Sequence, residues 1–179
     1  TDLNKISRSF SRLKGRKSDN IQEILPLYRA GDPKGMVNAF LRFERTLELE
    51  KRYINFLKYK TKKFYRITRI VREGFVKIPF GRLTGLLTYG GEYFASLIQM
   101  CEELNSLLLS SENTTNEHIL ITDKAIKNLE KGKMPKHFFK EIYSLDDQRI
   151  EVINKMRSKI INNQRSMKVI THRAVQFIH

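Results

Sequence analysis

The residues best placed to do chemistry in this sequence are cations. Between Lys58 and Arg82, nine lysines and arginines stand against one acid, Glu73, with Phe, Tyr and Ile threaded among them. At ~100° per residue, Lys58, Lys62, Arg66, Arg69 and Arg72 fall on one side of a helix, and Phe56, Leu57, Phe64, Ile67 and Val71 fall on the other. A cationic ridge backed by an apolar face is suited to meeting a polyanion. Lys63, Lys77 and Arg82 extend the candidate anion-binding set, and Tyr59, Phe64 and Tyr65 place aromatic rings between the charges.

Other chemistries find little footing. The four histidines are scattered, and although His172 and His179 stand two turns apart, no Cys, Asp or Glu joins them at metal-ligand spacing. Glu102-Glu103 and Asp146-Asp147 are sequence neighbours, which diverge by ~100° on a helix, so solvation or capping accounts for them. No nucleophile-elbow, zinc-protease or zinc-ribbon pattern occurs. The glycines at 81, 85, 90 and 91 lie near Lys77 and Arg82, yet the Gly-Lys-Ser/Thr of a phosphate loop is missing, so this stretch reads as a hinge or a glycine-softened helix. Cys101 shares an apolar face with Leu97, Ile98, Leu104 and Leu108 and reads as a core thiol. The expectation is a binding module, with no enzyme activity, metal or cofactor.

Helices must position these residues. Leu3, Ile6, Phe10 and Leu13 recur at helical spacing among Lys5, Arg8, Arg12, Lys14, Arg16 and Lys17. That makes 1–17 a basic amphipathic segment able to lie in a membrane interface, with Lys5, Ile6, Arg8, Phe10, Arg12 and Leu13 as its candidate contacts. Ser18-Asp19-Asn20 predicts a break, and residues 18–179 a single helical domain. Asn20 with Glu23 suggests a capping box for a short helix, which Gly31 closes. Asp32-Pro33 opens the next, whose apolar stripe runs from Met36 to Val71 with Gly74 at its end. Further helices are expected over 92–109, over 117–131 after a polar loop at 110–115, over 136–143, and from Gln148 to near His179. No stretch alternates at period two. The expected fold is all-α, an elongated antiparallel helical bundle with two long helices and several shorter ones.

The formal net charge is +15 over 179 residues, enough to attract phosphate-bearing partners at long range. It is segregated: 51–90 holds eleven basic residues and one acid, 91–123 holds six acids and no Lys or Arg, and 152–179 holds six basic residues and no acid. A single cysteine excludes an intramolecular disulfide and suits a reducing compartment. No apolar run approaches the ~18 residues of a transmembrane helix. The expected location is therefore intracellular, peripheral on a membrane or, for a nucleic-acid binder, nuclear.

The stretches LEKRYINFLKYKTKKFYR, TYGGEYFASLIQMCEELNSLL and HFFKEIYSLDDQRIEVINKMRSK resemble the first helix and the start of the second in the BAR superfamily. They cover under half the chain. The sequence departs from that family in being short, in the Gly/Pro-marked turn near Ile78 to Gly81, and in lacking a third long helix. The resemblance implies a homodimer and an anionic membrane as partner, met by a face that includes Lys58, Lys62, Lys63, Arg66, Arg69 and Arg72. Two other partners fit the same ridge. RNA or DNA would use the aromatic rings for stacking and the cations for phosphates. An acidic protein surface, such as the 91–123 block of a second copy, would use the cations alone.

Overall fold

The computed structural model describes residues 2–76 and 84–178. These form four α-helices and, among the described residues, no strand: α1 (Asp2–Ala30), α2 (Pro33–Val76), α3 (Thr84–Glu130) and α4 (Phe138–Ile178). The fold is all-α with bundle-like packing, and α2 and α3 are its two longest helices. Lys77 and Arg82 of the candidate set lie outside the described residues.

The ends of the helices follow local chemistry. Gly31 closes α1 in the left-handed conformation, with φ of 67°. Its amide donates to the Tyr28 carbonyl, and that of Asp32 donates to the Leu27 carbonyl, the paired bonds of a Schellman cap. Asp32 then caps α2, its Oδ1 accepting from the Gly35 amide at 3.1 Å. A Cβ at Gly35 would collide with the Asp32 carboxylate and push it off its capping position. Gly132, with φ of 72°, closes α3 by the same device: its amide bonds Leu129 and that of Lys133 bonds Asn128.

Between those ends the helices run through several expected breaks. At Ser18-Asp19-Asn20 α1 continues unbroken, because the Asn20 side chain accepts a bond from the Thr46 hydroxyl at 2.8 Å instead of capping its own chain. The expected loop at 110–115 is also helical. Ser111, Thr115, His118 and Thr122 belong to one buried stripe with Leu108, Ala125, Ile126 and Leu129. The Thr115 and Thr122 hydroxyls donate to the carbonyls four residues back, at 2.9 and 2.7 Å, so each is satisfied where it is buried. The helix expected over 136–143 starts at Phe138 and forms one element with the final helix, α4, since Ser144 to Asp147 continue the helix rather than cap it. Residues 90 and 91 lie within α3, which favours the softened helix over the hinge there.

The chain divides into two compact units, Thr1–Asn55 with Ser111–Arg149, and Phe56–Ser110 with Ile150–His179. The first holds the main core, where Ile24, Met36, Phe40, Phe43 and Leu47 meet Ala125, Leu129, Phe138 and Ile142. Phe138 lies edge-on to both Phe40 and Phe43, with centroids at 4.5 and 6.1 Å. Each such ring removes on the order of 150–250 Å² from water, which makes this cluster the chief source of stability in the unit. In the second unit, Leu57, Cys101 and Leu108 are buried, and the Asn163 amide of α4 donates to Glu103 of α3 at 3.1 Å.

Candidate anion-binding face

The burial line along α2 decides which residues the ridge can present. In the first half of the helix it passes through Phe40, Phe43, Leu47, Glu50 and Ile54, at steps of three and four. It continues straight through Leu57 to Thr68, which are only 7% and 4% exposed. The large apolar residues beyond Leu57 leave that line. Phe56, Phe64, Ile67 and Val71, expected as the buried backing of the ridge, are exposed, at 51%, 48%, 50% and 43%. The apolar stripe read from the sequence therefore slips round the helix, and Thr68 holds the core position with its hydroxyl bonded to the Phe64 carbonyl at 2.9 Å.

The second half of α2 thus has three faces. Leu57 and Thr68 point inward. Lys58, Lys62, Arg66, Arg69 and Arg72 form the ridge, about 110° away, and all but the half-buried Lys58 are exposed. Phe56, Tyr59, Phe64, Ile67, Ile70 and Val71 form an outward strip centred roughly 150° from the ridge. Lys60 and Lys63 lie within that strip. The Lys60 ammonium is 5.4 Å from the Phe56 ring centroid, a cation–π contact that lets the stem lie on apolar surface while its head stays wet.

The ridge faces a groove of about 860 Å³ in the second unit. Lys58, Lys62, Arg66 and Arg69 line it from α2, with Tyr59, Tyr65 and Ile70 beside them. Cys101, Glu102, Asn105 and Leu109 line it from α3. Arg69 is paired with Glu73 at 3.1 Å. Burial, with Glu102 alongside, pushes the Cys101 thiol above its ordinary range, so it presents a neutral sulfur. Arg72, on the ridge, and Lys63, within the outward strip, are exposed but do not line the groove.

The N-terminal candidates are partly committed elsewhere. Phe10 packs edge-on against Tyr53, with centroids 5.1 Å apart, and Leu13 is half-buried. Lys5, Arg8 and Arg12 are exposed, while the side chain of Ile6 lies outside the described residues. The segment is the first half of α1, and part of its apolar face already meets α2.

A second cluster of charge was not singled out in the sequence. Glu50, 3% exposed, pairs with Lys17 at 3.1 Å and with Arg149 at 2.7 Å, joining α1, α2 and α4. Burial opposes its ionisation, but the two cations outweigh that and hold the carboxyl below its ordinary range. Beside it the fully buried His118 stands 3.4 Å from Asp146, with neither ring nitrogen in a well-formed hydrogen bond. Burial, aided by Lys17 and Arg149 against Glu50, pulls the imidazole down to about 4 and keeps it neutral at pH 7. Burial pushes Asp146 up, with Lys17 and Arg149 pulling back. The signal was phase: Glu50 keeps step with Phe43, Leu47 and Ile54, and His118 with Leu108 and Ala125. This cluster closes a core.

Among the described residues no group of His, Cys, Asp and Glu is arranged to hold a metal ion, and no helix is long and apolar enough to cross a membrane. Comparison with family models, with curated proteins and with solved structures finds no match.

Proposed function

We propose that this protein is a non-enzymatic binding module that engages anionic membrane surfaces, such as those rich in phosphatidylserine or phosphoinositide, through the second half of α2. The observation that carries the reading is the exposure, on different faces of one helix, of both cations and large apolar side chains along 56–72: Lys62, Arg66, Arg69 and Arg72 on the ridge, and Phe56, Phe64, Ile67 and Ile70 with Lys60 and Lys63 on the strip. A soluble surface gains little from six large apolar groups clustered on one helix turn after turn. At a bilayer interface those groups enter the headgroup boundary, Lys60 and Lys63 snorkel between them and each gain about 1 kcal/mol near an anionic leaflet, and the ridge cations on the other side of the helix add a weaker, longer-range attraction. Lys5, Arg8 and Arg12 of α1 add to the attraction. The homodimer implied by the BAR-like residue pattern is part of the proposal, and light scattering of the full chain tests it.

The exposed Tyr59 ring, next to Lys62 on the helix, supports a second reading, in which single-stranded nucleic acid stacks on the ring and lays its phosphates along the ridge. Vesicle sedimentation run beside a gel shift with single- and double-stranded RNA and DNA separates the two. Sedimentation with phosphatidylserine vesicles and no gel shift is the expected result; a gel shift without sedimentation replaces the membrane with nucleic acid.

A further inference from the structure

The ridge and the apolar strip point in different directions, and the groove beside the ridge has a composition of its own. Its α2 wall is cationic, through Lys62, Arg66 and Arg69, and its remaining lining includes Tyr65, Ile70 and Leu109. Its volume of about 860 Å³ is within the ~300–1,000 Å³ of small-molecule sites. Two carboxylates, Glu73 and Glu102, also line it, and Glu73 already holds Arg69. A polyphosphate would meet both acids, and a purely apolar ligand would strand the cations. A ligand with one phosphate and one apolar body meets neither penalty.

We infer that the groove is a site for a single anionic amphiphile. The phosphate head sits on Lys62 and Arg66, clear of the Arg69–Glu73 pair, and the apolar body lies along Tyr65 and Leu109. This deepens the membrane reading by naming a ligand, and rests on it for the source of that ligand.

Isothermal titration of the full chain with single-chain lipids below their micelle concentration tests the assignment. Three probes divide the ligand into its parts: lysophosphatidic acid, lysophosphatidylcholine with the same tail, and glycerol 3-phosphate with none. Lysophosphatidic acid is expected to bind saturably at one per chain, the other two at least ~10-fold more weakly, since each forfeits either charge-assisted bonds or apolar contact. Arg66→Gln and Leu109→Ser, both at exposed positions, should each weaken lysophosphatidic acid, and only Arg66→Gln should bring it level with the choline lipid. Equal binding of the phosphate and choline lipids by the wild type, or unchanged affinity in Arg66→Gln, overturns the inference. Vesicle binding without monomer binding removes the groove site alone. Monomer binding without vesicle binding keeps the groove site and removes the membrane reading.

Discussion

At the residue scale, the buried charges of the first unit make the sharpest claims. Glu50 compensates two cations whose side chains are only 13% and 14% exposed. Glu50→Gln leaves both without their counter-charge, and breaking such an arrangement costs about 3 kcal/mol or more, read as a lower urea midpoint. His118 makes stability depend on pH. Its folded pKa of about 4 lies below the ordinary 6.5 of a histidine, because burial disfavours the charged ring, so as pH falls below 6.5 the unfolded chain takes up a proton that the folded one refuses. Stability is then lost between 6.5 and 4, by up to about 3 kcal/mol, and is fully present above 6.5. Glu50, held low by its partners after burial is overcome, adds a loss below 4.5, while Asp146, pushed up by burial, offsets part of it. Thermal melts from pH 7 to 4.5 should fall steeply in the wild type and less in His118→Gln; parallel curves would put the slope elsewhere.

At the element scale, α2 is one helix with a straight burial line and a wandering apolar stripe. Replacing residues on the line should cost stability, and replacing residues of the strip should not. Leu57→Ala removes a buried side chain and should lower stability by about 2–4 kcal/mol, whereas Ile67→Ala should change it by less than about 0.5 kcal/mol. Denaturant unfolding of the two variants side by side measures this, and equal losses would mean that the strip is covered in solution. The all-helical fold and the Gly31 cap were legible in the sequence, because apolar period and φ > 0 are local properties, but Gly74, expected to end α2, lies inside a helix that runs to Val76. The breaks at 18–20 and 110–115 were misread for one physical reason. Asn, Ser and Thr carry the same chemistry at a cap and in a buried helix, and only the partner decides between them. For Asn20 that partner is Thr46 on another helix; for Thr115 it is a carbonyl of its own helix. The cations of the site were legible from spacing, but the exposure of Phe56, Phe64 and Ile67 was not. It depends on which side of α2 its neighbours leave open, which no period within α2 records.

At the scale of the whole molecule, a formal net charge of +15 makes any encounter with a polyanion strongly salt-dependent. Exposed charges more than ~10 Å apart are largely screened at 0.1 M salt, so vesicle affinity should fall several-fold between 50 and 200 mM. The part contributed by Phe56, Phe64, Ile67 and Ile70 should persist. Phe64→Ser/Ile67→Ser should therefore weaken binding most at high salt, where insertion carries more of the free energy, and charge reversal should act most at low salt. The central claim, that the exposed basic and apolar half of α2 binds anionic bilayers, is tested most directly by one measurement: co-sedimentation of wild type and Lys62→Glu/Arg66→Glu/Arg69→Glu with phosphatidylserine-containing and pure phosphatidylcholine vesicles. Wild type should sediment with the anionic vesicles alone, and the triple variant, still folded by circular dichroism, should stay in the supernatant with both. Equal sedimentation of the two proteins with anionic vesicles, or none by the wild type, would contradict the account.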